Sequence, residues 1–328
     1  MKRVNNLFET FISFGNILLA YRKALKGTNK NRETLYFYFN YENEIIKLIE
    51  ELNNGSYTPS PYRKFIITDP KERIISVAPF RDRVVHHALV NILEPIFEKR
   101  FYYHSYACRK GKGVHKAVNQ AQIYLKSNKW YLKSDISKYF ASVDRSILFD
   151  IVQRKVKDKR LLDLINIIIS NGDVSGKGLP IGNLASQFFA NVYLDILDHF
   201  IKENLQIKAY IRYMDDFVLF DNDKERLKLA KQKIIDFIGI RLKLSLKENA
   251  TFINQRLNGL SFLGRRVFPS TIRIKRENLK RCLKKLKTRE KEYEKNIIND
   301  IQYSQSVNSL MGYIASGNTY RLRQNIVL

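Results

Sequence analysis

Two adjacent carboxylates, Asp215 and Asp216, interrupt the apolar run Ala209-Tyr210-Ile211-Arg212-Tyr213-Met214-Asp215-Asp216-Phe217-Val218-Leu219-Phe220. Ionised and unpaired, such groups are costly to bury. A divalent cation resolves the conflict, because carboxylate oxygens are the ligands Mg²⁺ prefers. The pattern predicts a β-hairpin whose tight turn carries the acids. A plain surface turn, where Asp-Asp is common, is the alternative. A third acid, Asp135, closes another strand-like run, Trp130-Tyr131-Leu132-Lys133-Ser134-Asp135. It either caps the stretch that follows or lies on a strand beside the hairpin, aimed at the same point. The second arrangement suits nucleotidyl transfer. There, two metal ions about 3.5–4 Å apart activate a 3′-hydroxyl and steady the leaving pyrophosphate, so shared carboxylate ligands must come from neighbouring strands.

Composition points to the partner. The chain has 58 Lys and Arg against 32 Asp and Glu, a formal net charge of +26, with a pI near 9.9. That balance implies a polyanion, most often nucleic acid. The densest basic run spans Lys275 to Lys287. Within it Leu279, Leu283 and Leu286 recur at helical spacing, predicting a helix with one apolar seam and a basic face. Lys280, Arg281, Lys284 and Lys287 are candidates for tracking phosphates; a solvated face is the alternative.

With 328 residues there is room for one large or two to three small domains. The hydrophobic share of 45% and aromatic share of 12% supply a core and argue against disorder. No apolar stretch reaches membrane-spanning length, and no signal-peptide apolar region follows the first residues. Cys108 and Cys282 are the only cysteines; they offer no zinc spacing and suggest a reducing, cytoplasmic setting.

The elements that must position these residues follow from periodicity. Helices are expected over 5–26, 41–53, 82–97 and 114–126, within 144–170, over 183–203 and 223–238, and at the end of the chain. Strands are expected over 62–68 and 73–78, around Asp135, around the Asp215 turn, and near 241–268. A glycine-rich loop spans 171–182. This mixed order predicts an α+β fold around an antiparallel sheet.

In this order, the motifs resemble a reverse transcriptase over nearly the whole chain. Asp82-Arg83-Val84-Val85, Leu93-Glu94-Pro95-Ile96-Phe97-Glu98 and Tyr106-Ala107-Cys108-Arg109 are similar to the fingers region. Asp135–Phe140 is similar to the first catalytic motif, Tyr213–Asp216 to the YxDD motif, and Gly259–Gly264 to the primer grip. The implied fold is a right-hand polymerase: an N-terminal helical extension (1–60), fingers (61–130), palm with interleaved fingers elements (131–268) and helical thumb (269–328).

The loop Leu179-Pro180-Ile181-Gly182-Asn183-Leu184-Ala185-Ser186-Gln187 narrows the resemblance. Most reverse transcriptases have Gln-Gly and then Ser-Pro there. Ile181-Gly182 with Ser186-Gln187 is similar to diversity-generating retroelement enzymes of bacteria or phages. These copy a template-repeat RNA into adenine-mutagenised cDNA that diversifies a target gene, alongside a small, basic, oligomeric accessory variability protein.

The resemblance implies a role for each matching position. Asp135 and Asp215 are the metal ligands, with the main-chain carbonyl of Ile136; Asp216 supports them. Two Mg²⁺ ions are the implied cofactors, with Mn²⁺ able to substitute. Phe140 stands at the steric gate against a ribose 2′-hydroxyl; a core phenylalanine is the alternative. Lys71 and Arg73 meet the triphosphate or base of the incoming nucleotide, a solvated hairpin being the alternative; Ile181, Gly182 and Gln187 line its pocket, and Lys247 protonates pyrophosphate. Phe262, Leu263 and Gly264 hold the primer. Ile181 has no amide to hydrogen-bond the nucleotide, and lost positioning weakens discrimination; simple packing beneath the loop is the alternative. Two other functions fit the sequence: a retron or group II intron-type reverse transcriptase, and a non-enzymatic nucleic-acid-binding protein.

Overall fold

A computed structural model describes residues 3–28, 31–68, 72–171 and 175–327. The chain divides into two units that interleave along the sequence. One comprises Met1–Tyr103, Ile136–Leu205 and Lys233–Lys247; the other comprises His104–Asp135, Gln206–Gln232 and Glu248–Leu328.

The first unit is mainly helical. It contains α1 (Phe8–Ile12), α2 (Phe14–Leu25), α3 (Arg32–Phe39), α4 (Tyr41–Asn54), the hairpin β1 (Arg63–Ile67) and β2 (Arg73–Val77), and α5 (Phe80–Glu98). The helix expected over 5–26 is broken at Ser13. Its backbone is extended there, and its hydroxyl accepts the Asn16 N–H that opens α2. Helix α5 is the hub, packing against α1, α2, α3 and α10. Its Val84, Val85, Ala88, Leu89 and Leu93 are fully buried.

Two histidines share that helix. Burial, and then the neighbouring His87, push the His86 imidazole down to about 4; burial, Lys23 and Arg83 push His87 to a similar value. Both are neutral in the folded protein and charge more readily when unfolded. Their contribution is therefore present above pH about 6.5 and is lost as pH falls toward 4. We expect the melting temperature to drop by several degrees between pH 7 and 5, with His86→Gln flattening that limb. A pH-independent melting temperature would disprove the buried neutral state.

The second unit holds α6 (Val114–Ser127) and β3 (Trp130–Asp135). After the first-unit segment α7 (Tyr139–Ser142), α8 (Arg145–Gln153), α9 (Lys159–Ser170) and α10 (Leu184–His199), it resumes with β4 (Ala209–Tyr213) and β5 (Asp216–Asp221). Helix α11 (Lys224–Leu242) follows, its residues from Lys233 onward belonging to the first unit, and then strand β6 (Phe252–Gln255) of the second. The four-stranded sheet is antiparallel, in the order β4-β5-β3-β6. Residues of one face, Tyr131, Ala209, Ile211, Val218 and Phe220, form a core with Ala117, Val118, Ala121 and Leu125 of α6. That core continues into a second sheet, β7 (Leu260–Phe262), β8 (Arg265–Val267) and β9 (Ile272–Ile274). Helices α12 (Arg276–Glu294), α13 (Asp300–Ala315) and α14 (Tyr320–Val327) end the described chain.

Other expectations change as well. Strands were expected from about 241 and the preceding helix only to 238, yet α11 runs to Leu242. The following tail turns through Lys243 at φ 49° and makes only an isolated bridge from Leu246 to Ile136. The helix expected to 203 ends at His199 and widens into a π turn, Phe200–Asn204, where Phe200 stacks on Phe237 at 3.9 Å. Helix α3, strand β9 and the short α7 were not expected. Among the described residues no helix is long and apolar enough to cross a membrane.

Candidate active site

Register brings the acids together. Asp135, the last residue of β3, pairs directly with Asp216, the first of β5, and Tyr213 pairs with Asp216 across the hairpin. Directly paired residues in an antiparallel sheet share a face. The connection is a two-residue turn, Met214-Asp215, so all three carboxylates cluster at one end of the sheet. Met214 takes φ 56° and is buried. A positive φ at the first turn position is what a primed hairpin requires, and glycine usually supplies it. Here a bulky residue is held there beside the acids, a placement typical of functional sites.

The electrostatics show the crowding. Burial, and then the charges of Asp135 and Asp215, push the Asp216 carboxyl up to about 6; Lys133 opposes them. The Lys133 ammonium donates to Asp216 Oδ1 at 2.7 Å, and both side chains are largely covered, 13% and 19% exposed. The same ammonium lies 5.9 Å from the centroid of the Phe262 ring. Lys133 stands two residues before Asp135, on the same strand face. Its signal was the period-2 pattern of β3, but a lysine in so basic a chain attracts no attention in the sequence.

This arrangement fits a divalent cation. Three like charges crowd one sheet end, and one of them already requires a cationic partner. Asp216 Oδ1 is engaged by Lys133, and Asp135 and Asp215 are the other two acids expected to meet metal. Among the described residues no three His, Cys, Asp or Glu side chains form a ready-made metal cluster. Two carboxylates would need the Ile136 carbonyl and substrate oxygens to complete the coordination, as is usual for Mg²⁺.

The first unit holds the residues expected to meet a nucleotide. Arg73 is exposed on β2, on the same strand face as Ile75 and Val77. Lys71 lies outside the described residues. Phe140 is half-buried on α7, its ring edge-on to Tyr139 at 5.6 Å. The Phe140 carbonyl accepts the Leu179 N–H at 2.7 Å, which ties the 178–183 loop to the segment after Ile136. Ile181 and Gln187 are half-buried; Gly182 is exposed and has φ 118°. Lys247 is half-buried after the Leu246 bridge.

The primer-grip residues form the β7–β8 turn. Phe262 is buried in the core, while Leu263 and Gly264 both take positive φ in a two-residue connection. A Cβ on Gly264 would lie 2.8 Å from Asn278 Nδ2 and 3.0 Å from the Tyr313 hydroxyl. The turn therefore abuts α12 and α13 directly. Arg265 adds a bond to Ser316 Oγ at 2.6 Å and lies over the Tyr313 ring. Along α12, Lys280, Arg281, Lys284 and Lys287 are all exposed, while Leu279, Leu283 and Leu286 form the half-buried seam. No side chain of α12 is fully buried.

Comparison with known proteins follows this geometry. A family model described as reverse transcriptase (RNA-dependent DNA polymerase) matches residues 68–266. The chain is similar to protein YkfC of Escherichia coli (strain K12), at 28% identity over 270 residues covering 68% of this chain and 71% of that one. It is also similar to the group II intron-encoded protein LtrA of Lactococcus lactis subsp. cremoris, at 23% identity over 295 residues, 68% of this chain and 49% of that one. Nuclear intron maturase 1, mitochondrial, of Arabidopsis thaliana shares 35% identity over 94 residues, covering 29% of this chain and 13% of the maturase. The match thus spans about half or less of these intron-related proteins. Among solved structures, an apo telomerase of Candida tropicalis aligns with TM-score 0.49 and 12% identity, covering 69% of this chain and 58% of that one.

Proposed function

The chain belongs to the reverse transcriptase family, whose fold is the right-hand polymerase, and on that premise we propose that it copies an RNA template into DNA by nucleotidyl transfer at Asp135 and Asp215. The observation that carries this reading is the register pairing of Asp135 with Asp216 beside the Asp215 turn. In this reading Asp135, Asp215 and the Ile136 carbonyl hold Mg²⁺. When bound, the ions lower the pKa of the primer 3′-hydroxyl and neutralise charge on the leaving pyrophosphate. Lys133 engages Asp216 and offsets part of the negative charge at this end of the sheet. Phe140 excludes a ribose, Lys247 protonates pyrophosphate, and Arg73 and Lys71 meet the triphosphate or base. Residues 1–60, 61–130, 131–268 and 269–328 act as N-terminal extension, fingers, palm and thumb. The basic face of α12 tracks the phosphates of the template and primer.

Ile181-Gly182 and Ser186-Gln187 support a finer reading, that of a diversity-generating retroelement enzyme. Such an enzyme would work in the cytoplasm with an accessory variability protein and make errors opposite template adenine. Ile181→Gln restores an amide to the pocket. About 1 kcal/mol of added discrimination would lower errors at adenine roughly fivefold. Sequencing cDNA made on one RNA template by both proteins checks this; equal spectra would mean that Ile181 only packs. A second reading, an intron-type enzyme, is supported by the similarity to LtrA and the maturases. It predicts few errors at adenine in the unmodified protein.

A further inference from the structure

The 181–183 segment lies against the edge of β2 away from β1. The Ser76 N–H donates to the Ile181 carbonyl at 2.7 Å. Asn183 then continues the pairing with its side chain. Its Nδ2 donates to the Ser76 carbonyl at 2.8 Å, and its Oδ1 accepts the Ala78 N–H at 3.0 Å. One carboxamide thus serves both a donor and an acceptor of the strand, as a peptide group would in a ladder. Asn183 is 3% exposed, and Ser76 and Ala78 are buried with it. Although it stands at the N-terminus of α10, it makes no side-chain capping bond there.

Close approach depends on Gly182. A Cβ there would come within 2.8 Å of Ile75 Cγ2 and 3.0 Å of the Ser76 carbonyl, at a φ of 118°. The same loop is fixed at its other end by the Leu179–Phe140 bond. It is therefore pinned to the segment carrying Phe140 and to the strand carrying Arg73.

We propose that Asn183 is a positioning residue for nucleotide selection, clasping β2 so that Arg73 and Ile181 keep a fixed spacing. This rests on the polymerase reading above. The side chain touches no substrate; it acts by holding two elements that do. The clasp has a specific chemical requirement. Asp keeps the shape and the acceptor but turns an oxygen toward the Ser76 carbonyl, so Asn183→Asp disrupts it as much as Asn183→Ala. A requirement for bulk alone would spare the Asp variant.

The test uses the full-length chain on a primed RNA template. For both variants the KM for dNTP should rise about tenfold, with kcat within threefold and primer–template affinity within twofold. The Ser76 and Ala78 amides, both hydrogen-bonded and buried, should be protected from hydrogen exchange in the unmodified protein and lose that protection in both variants. Lost protection with an unchanged KM overturns the proposal, as does retained protection in either variant. A normal KM for the Asp variant alone also overturns it. If the unmodified protein extends no primer, the polymerase reading itself fails, a result separate from any of these.

Discussion

Asp135→Ala and Asp215→Ala should each reduce dNTP incorporation by about 10³-fold or more while leaving RNA affinity within twofold. On the proposed assignment each change would remove a metal ligand on which both the attacking and leaving oxygens depend, a loss of several kcal/mol of transition-state stabilisation. The fold should tolerate either change. Asp215 sits in the turn rather than in a ladder position, and Asp135 ends its strand. Asp216→Asn should cost less, because its carboxylate is already engaged by Lys133. Single-turnover extension with Mg²⁺, alongside an RNA-binding titration, measures both quantities. Extension near the unmodified rate by the Asp135 or Asp215 variant would remove the catalytic assignment.

Phe140→Ala should relax sugar selection by about 10²-fold, measured as the ratio of kcat/KM for dNTP and rNTP. The structure suggests that this variant folds. The bond that fixes the residue is made by its main-chain carbonyl, and the ring is only half-buried. The expected change is a gain in rNTP use rather than a loss of dNTP use, which separates a gate from a packing residue. A protein that already uses both sugars equally would exclude the gate.

Much of this was legible in the residue order. Charged side chains within apolar runs gave the hairpin and β3, because burial makes an unpaired acid conspicuous. Helix α12 was legible from its leucine spacing. What escaped had a local disguise. The alternating leucines after Ile240 imitate a strand, yet tertiary bonds, including Tyr193 Oη to the Leu242 carbonyl at 2.6 Å, hold a helix end and a turn there. Asn183 before a helix is most simply a cap, and only the position of β2 shows otherwise. Lys133 looks like one cation among 58 Lys and Arg until cross-strand pairing places it on Asp216. Pairings between distant segments are the information that periodicity lacks.

The seam of α12 bears on how long this protein would stay on its template. Nineteen residues of helix with no fully buried side chain gain little from burial, and the bonds from Lys275 and Asn278 to the Gly264 carbonyl anchor only its start to the β7–β8 turn. If Lys280, Lys284 and Lys287 contact phosphates as proposed, part of the energy of each contact would go into ordering the helix that makes it. Grip of that kind is shallow. The expected enzyme is distributive, leaving its template after short tracts and returning, and its product lengths should grow when the first turn of α12 is stapled to the sheet.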